Sequence, residues 1–475
     1  MSTTAETPQA DPAAPTGKGD RSVRSLAPLV RRLHFYAGVL VAPFLVVAAL
    51  TGLAYTIAPQ LDQIAYGDQL HVPAVGAATV PLAEQVEAAR AAVPDGTVTL
   101  VVPPGSADAT TRVVFAVPEL ADRDRTAFVD PYTRQVRGQL TTWFGSTPLT
   151  TWLDDLHRNL HLGEVGRLYT ELAASWLWVL VLGGVVLWWG RQRGRRRVRR
   201  MLHPELSASV GVRRTRSWHA STGLWLAVVL LILSATGLTW STYAGARFDL
   251  LQEQLDATSA EPDTKLSTGH EGHADGDAGA AEESALSEVD TVLAAARSAG
   301  LDGPVEITPA AGAGEAWTVA QADDVWPVRQ DVVAVDPGTG TVTDHVRFAD
   351  QPLLARLSTL GVQAHMGVLF GPVNQVVLAL TAVGLLGVIG WGYRMWWQRR
   401  PTRADRRRPV GDPPDRGAWR HLPPVLLVVG IPVLVALGWA VPLLGWSLLA
   451  FLLLDVAIGL AGRRRGGGKP AEPVG

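Results

Sequence analysis

Long apolar runs separated by polar and charged segments organise this chain. Six of them approach the ~20 residues that a bilayer core requires. They fall at about 35–57, 170–190, 220–242, 373–395, 423–442 and 444–461. The last two are joined so tightly around Pro442 and Gly445 that they form a hairpin or one kinked, re-entrant element. Between the runs the period changes. "PLAEQVEAARAAVP" places Leu82, Val86, Ala89 and Val93 at helical spacing, and the strand-like runs "TVTLVVP", "TRVVFAVP", "RTAFVD" and "RQVRGQL" follow. The order recurs in "SALSEVDTVLAAARSAG", then "PVEITPA", "EAWTVAQ", "QDVVAVD" and "GTVTDHV". In both, a strand ends in Asp-Pro, at Asp130 and Asp336, and turns back at once, with Gly340 relieving the second return. The pattern predicts a membrane α-helical bundle of about six spans carrying two α+β domains, each a helix against an antiparallel sheet.

Arginine orients the bundle. "RQRGRRRVRR" and "VRRTR" follow the second run and "RRPTRADRRRP" the fourth; Arg21, Arg24, Arg31 and Arg32 precede the first, and "GRRRGGGK" ends the chain. By the positive-inside tendency all of these lie in the cytoplasm, with both termini inside a cell membrane. Trp188, Trp189, Trp396 and Trp397 sit at cytoplasmic span ends, as interfacial anchors do. The basic runs read as topology signals and contacts to membrane lipids, not as nucleic-acid sites. The expected division is a disordered cytoplasmic tail at 1–24 without the apolar core of a signal peptide, and span one at 25–57. An outside domain at 58–168, span two at 169–190, a basic loop at 191–218 and span three at 219–242 follow. A second outside domain at 243–371 has a flexible insert near 258–282; then come span four at 372–397, a basic loop at 398–422, the hairpin at 423–461 and a tail at 462–475.

The unit "span, outside domain, span" occurs twice, and the final hairpin is an addition. "RRLHFYAGVLVAPFLVVAALTGLAYT" and "RSWHASTGLWLAVVLLILSATGLTWS" share a His, a Gly four residues on (Gly38, Gly223) and a Thr-Gly-Leu that starts seventeen residues on (Thr51, Thr236). His157 and His365 each precede a Gly by six residues (Gly163, Gly371) and a Trp by thirty-one (Trp188, Trp396). The offset between copies is 185 residues at His34 and His219 and 208 at His157 and His365. The surplus is close to the size of the 258–282 insert. Parallel repeats are expected, since each unit of two spans starts on the same side. A straight helix from His157 to Trp188 would be ~47 Å long, so a break near Gly163 and Gly166 is expected.

Four histidines in two repeat-related pairs, one pair on each side, stand out, because ionisable groups in or near a bilayer are costly. A lone histidine there more often bonds a headgroup or backbone, and duplication alone copies residues. The agreement of His and Gly positions amid drifted surroundings favours a shared task. The chain has no cysteine, which removes disulfides, thiolate metal sites, iron–sulfur clusters and c-type haem attachment. Bis-histidine ligation of haem b fits what remains: His34 with His219 for one haem near the cytoplasm, and His365 with His157 or His161 for another outside. His157 and His161 also stand at the i, i+4 spacing of a metal site, but no carboxylate pattern accompanies them. "STGHEGHADGDAGAAEE" with His270 and His273 reads as a solvated low-complexity loop, and His71, His203, His345 and His421 show no partner pattern. No phosphate-binding glycine loop, nucleophile elbow or dinucleotide fingerprint is present, so electrons would come from a membrane quinol or a cytoplasmic donor. A transporter is disfavoured by the few charges within the spans.

With "RRLHFYAGVLVAPFLVVAALTGLAY", "LHRNLHLGEVGRLYTELAASWLWVLVLGGVVLWW", "RSWHASTGLWLAVVLLILSATGLTW", "HMGVLFGPVNQ" and the two "VDP" hairpins, roughly 25–400 resembles the PepSY-associated transmembrane family, which includes iron-regulated membrane proteins. The resemblance implies PepSY-like domains outside the membrane. Some members are similar to haem-carrying reductases of ferric siderophores, which implies haem on His34, His157, His219 and His365 and a ferric chelate as substrate. PepSY domains elsewhere are linked to restraining peptidases. The competing expectation is therefore a non-enzymatic protein that binds a peptidase or another envelope partner.

Overall fold

The structure, a computed structural model, describes residues 18–192, 202–205, 211–266, 287–312, 314–398 and 424–466. The start of the expected N-terminal tail, most of the 258–282 insert, nearly all of loop 398–422 and the end of the C-terminal tail lie outside the described residues, as do His270, His273 and His421. In chain order the first helices are α1 (Lys18–Leu40), α2 (Ala42–Tyr55), α3 (Ala58–Leu70) and α4 (Leu82–Ala92). Strands β1 (Thr97–Val102), β2 (Thr111–Ala116), β3 (Asp124–Val129) and β4 (Val136–Thr142) precede α5 (Pro148–Asn159) and α6 (Gly163–Gln192). The second copy has α7 (Val212–Thr239), α8 (Tyr243–Gln254) and α9 (Val289–Ser298), then β5 (Val305–Thr308), β6 (Trp317–Gln321), β7 (Val332–Asp336) and β8 (Thr341–Val346). Helices α10 (Leu353–Met366), α11 (Pro372–Gln398), α12 (Pro424–Ala440) and α13 (Pro442–Gly466) complete it. Two compact units result, Met1–Ala42 with Trp178–Ala227 and Val388–Gly475, and Pro43–Leu177 with Val228–Gly387.

In the second of these units, here the sheet unit, the two expected α+β domains are one. Their strands form a single eight-stranded sheet in the order β4-β3-β2-β1-β5-β6-β7-β8, joined where β1 pairs antiparallel with β5 at Val101 and Ile307. Each four-stranded copy alone would present an unpaired β1 or β5 edge, and pairing the two removes both. Alternate strand residues, among them Val113, Phe115, Ala127, Val129, Ile307, Val319, Val333 and Val335, point into one core. Leu82, Val86, Ala89 and Val93 of α4 and Val289, Val292 and Ala296 of α9 cover it. Asp290 of α9 caps the other copy's helix: its carboxylate accepts from the backbone N–H groups of Leu82 (2.8 Å) and Ala83 (2.9 Å). The Asp-Pro turns are held by their own carboxylates, Asp130 Oδ1 accepting from Tyr132 N and Asp336 Oδ1 from Gly338 N.

Among the described residues, four helices are long and apolar enough to cross a bilayer: Gly163–Arg191, Val212–Thr239, Pro372–Gln398 and Pro442–Ala461. A fifth results if Ala27–Leu40 and Ala42–Tyr55 count as one bent span. Many of their large apolar side chains, such as Val228, Val373, Leu380 and Trp446, are exposed, which suits lipid rather than water. The expected fifth span, 423–442, corresponds to α12, which has only 17 residues and contains Pro432. The helix α1 starts at Lys18, inside the tail expected to be disordered, because its arginines and lysine are good helix formers.

The break at Val41 has a local cause. Proline 43 has no N–H, so the Val39 carbonyl loses its intrahelical donor. The Tyr393 hydroxyl donates to that carbonyl instead, at 3.1 Å. The second copy carries Val228 at the equivalent place, and α7 runs unbroken.

The appended hairpin closes tightly: a Cβ at Gly445 of α13 would lie 2.7 Å from the Cα of Gly438 in α12. It is tied to α1 by an ion pair between Arg32, which is buried, and Asp455 in the middle of α13. A carboxylate in an apolar helix is costly without such a partner. Asp455→Ala therefore lowers stability by about 3 kcal/mol. The double variant Arg32→Met with Asp455→Leu recovers most of that loss, read as the thermal midpoint in detergent.

Candidate functional site

The sheet unit brings His157 and His365 together, with ring centres 6.3 Å apart and planes at 53°. Helix α5 presents His157. Its N-terminus is fixed by Thr147, whose hydroxyl accepts from Thr150 N and donates to Asp62 of α3 at 2.6 Å, while the Thr150 hydroxyl donates to the other Asp62 oxygen at 2.7 Å. Helix α10 presents His365. Asn374 of α11 donates to the Ala364 carbonyl at 2.8 Å, and Gln363 donates to Asp324 at 2.7 Å. The first set fixes the start of α5, and the second holds α10 at the end that carries His365.

Both rings are oriented by the repeated Thr-Gly-Leu. The Thr51 hydroxyl donates its one hydrogen to the Val47 carbonyl of its own helix (2.9 Å), so its oxygen accepts from His157 Nδ1 at 2.9 Å. The Thr236 hydroxyl donates to Ile232 O (2.9 Å) and accepts from His365 Nδ1 at 2.8 Å. The following glycines let each ring lie against the helix. A Cβ at Gly52 would be 3.1 Å from His157 Cε1, and one at Gly237 would be 3.3 Å from His365 Cε1. Desolvation pushes the pKa of His157 below its ordinary value. The same burial, and then the nearness of His157, push down that of His365. Both rings are therefore neutral at pH 7 and able to bind a metal.

The other unit brings His34 and His219 together, again with ring centres 6.3 Å apart, at an interplanar angle of 83°. His219 Nδ1 donates to the Val388 carbonyl of α11 at 2.8 Å. The carbonyl of Leu180, 208 residues earlier, is close enough to act on His34. It does not meet hydrogen-bond geometry, and His34 Nδ1 is buried without a partner among the described residues. Glycines again face the rings: a Cβ at Gly184 would be 3.3 Å from His34 Cε1 and one at Gly392 3.6 Å from His219 Cε1. One turn along, Gly223 faces open space, and a Cβ at Gly38 would meet only Leu180, at 3.9 Å.

Three of the four rings thus carry their proton on Nδ1, which leaves Nε2 as the bare nitrogen. Among the described residues no hydrogen bond uses Nε2 of His34, His157, His219 or His365, and each ring keeps part of its surface open. Two imidazoles on one metal, with bonds of ~2.0 Å and about 1.1 Å from nitrogen to ring centre, stand about 6 Å apart. Both pairs meet that spacing. Among the described residues no group of three or more His, Asp or Glu could hold a metal ion.

His161 does not join the outer pair. It is exposed, its ring lies 5.0 Å from that of Trp152, and its backbone is left-handed (φ 54°) in the turn between α5 and α6. His71 lies beside Asp108 and His345 beside Asp331. The threonines and Gly52 and Gly237 were visible as repeats, but their contacts with His157 and His365 were not. Gly184, Gly392 and the Val388 carbonyl were missed. Their signal was the 208-residue offset carried past the histidines, which aligns Gly184 with Gly392 and Leu180 with Val388.

The expected helix break after His157 is made by Leu160 and His161 in left-handed conformation and by Gly163 (φ 56°), matched in the second copy by Gly371 (φ 55°). Gly166 is indispensable there, since a Cβ would fall 1.6 Å from the Asn159 carbonyl oxygen. Gly166→Ala forces α5 away from α6 and costs roughly 2 kcal/mol or more. Gly190→Ala, where a Cβ meets open space, leaves the thermal midpoint unchanged or slightly raised.

Residues 31–399 match the family described as PepSY-associated TM region. No curated protein matches the chain.

Proposed function

Because this multi-pass membrane protein belongs to the PepSY-associated TM region family, we propose that it is a haem b protein that passes electrons across the membrane to a ferric chelate. His34 and His219 hold one haem and His157 and His365 the other. The observation that carries the reading is the recurrence of a 6.3 Å imidazole pair in both units. Bound there, the haem would supply a one-electron Fe(III)/Fe(II) couple. The chain's residues do the rest. Thr51, Thr236 and the Val388 carbonyl fix the rings with Nε2 forward and raise their basicity by accepting from Nδ1. Packed helices exclude water and so set the potential.

In this reading the His34–His219 pair lies on the cytoplasmic side and the sheet, as a PepSY-like domain, outside; the arginine-rich loops support that orientation. The hairpin α12–α13 makes the fifth and sixth spans, which brings the C-terminus back to the cytoplasm. With haem bound, the first site would accept an electron from a membrane quinol or a cytoplasmic donor, and the second would supply one electron to a chelated Fe(III), whose hard oxygen donors would hold the resulting Fe(II) less tightly.

Protein expressed with ample haem shows a Soret band and binds two haems per chain. His34→Ala with His219→Ala leaves one haem, as does His157→Ala with His365→Ala. Either variant abolishes reduction of an external ferric chelate by donor-loaded vesicles. A colourless protein would refute the reading and favour a scaffold for an envelope peptidase.

A further inference from the structure

The two copies agree at the histidines but differ one turn away. In the first copy, Leu29, Val30, Leu33, Gly183 and Val186 are all apolar or glycine. Of these, Val30 and Gly183 pack closely: a Cβ at Gly183 would lie 3.5 Å from Val30 Cγ1. The repeat offsets align these positions with Arg214, Thr215, Trp218, Trp391 and Arg394. There the second copy has a cavity of ≈ 320 Å³, lined by those five residues and Gly211. Passive inheritance from a duplication does not put two arginines and two tryptophans into one copy only.

The cavity has a charged end and an apolar wall. Among the described residues neither Arg214 nor Arg394 has a carboxylate partner. In contrast, the neighbouring Arg213 is exposed and paired with Glu205 at 2.8 Å. Helix α7 starts beside the cavity at Val212, and the positive end of its dipole adds to the arginines. Trp218 and Trp391 form the wall, with ring centres 5.6 Å apart at 37°. Trp218 and Trp391 are next in sequence to His219 and Gly392, which meet each other in the same unit.

We propose that this cavity binds an amphiphile, with its oxyanion between Arg214 and Arg394 and its apolar body against Trp218 and Trp391. Two sources carry that chemistry. One is the phosphate of an acidic phospholipid; the other is a carboxylate arm of a porphyrin held by His34 and His219, which rests on the function proposed above. Guanidinium groups bind both oxyanions by charge-assisted hydrogen bonds.

Native mass spectrometry of the full chain in detergent, titrated with phosphatidylglycerol or phosphatidylcholine, tests the first source. It is done with His34→Ala and His219→Ala in place, so it is independent of haem. The lipid source predicts preferential retention of phosphatidylglycerol, weakened about tenfold by Arg214→Gln with Arg394→Gln. Trp391→Gly, which restores the first copy's residue, weakens it too, while Arg213→Gln does not. The porphyrin source predicts no lipid preference and a shift in the midpoint potential of the His34–His219 haem in the same double arginine variant. Absence of both effects in variants that stay monodisperse overturns the proposal. In a protein that takes up no haem, the lipid measurement alone decides.

Discussion

Each candidate site depends on what holds the far nitrogen of an imidazole. A histidine free to turn offers either nitrogen, in either tautomer, to anything nearby. Here a threonine oxygen accepts from Nδ1 of His157 and of His365, and a backbone carbonyl accepts from Nδ1 of His219. The threonines accept because their own hydrogen is already committed to a carbonyl of the same helix. Glycine beside each ring lets the Cε1 edge come close to the neighbouring helix. The spacing of the His157–His365 pair follows from these contacts together with the helix ends that carry the two rings.

Much of this was legible because the chain says it twice. Repetition exposed the histidines, the Thr-Gly-Leu steps and the α+β order, and helical spacing alone picked out Leu82, Val86, Ala89 and Val93 as core. Contacts between copies were not legible. Each copy reads as a finished small domain, so nothing in its pattern shows that β1 and β5 pair or that Asp290 caps the other copy's helix. Nor could spacing separate His157 from His161, because both lie near the turn that Gly163 and Gly166 impose. Only the left-handed backbone after Asn159 turns His161 away.

The departures from symmetry are as informative as the repeats. Pro43 breaks the first span where Val228 leaves the third intact, and Tyr393 satisfies the carbonyl released by the break. Arg32, replaced by Ser217 in the second copy, anchors the appended hairpin through Asp455. A duplicated frame has thus kept its histidine geometry in both halves while one end of each copy was adapted separately. The hairpin attaches beside the first copy's histidine, and the arginine–tryptophan cavity lies beside the second copy's.

The central claim is that both imidazole pairs would hold haem iron through Nε2. Electron paramagnetic resonance of the oxidised, haem-loaded protein reads that coordination directly. The account predicts low-spin ferric signals from two sites, each lost with its own pair of histidines. High-spin ferric iron at both sites, or signals indifferent to His34, His157, His219 and His365, would contradict it.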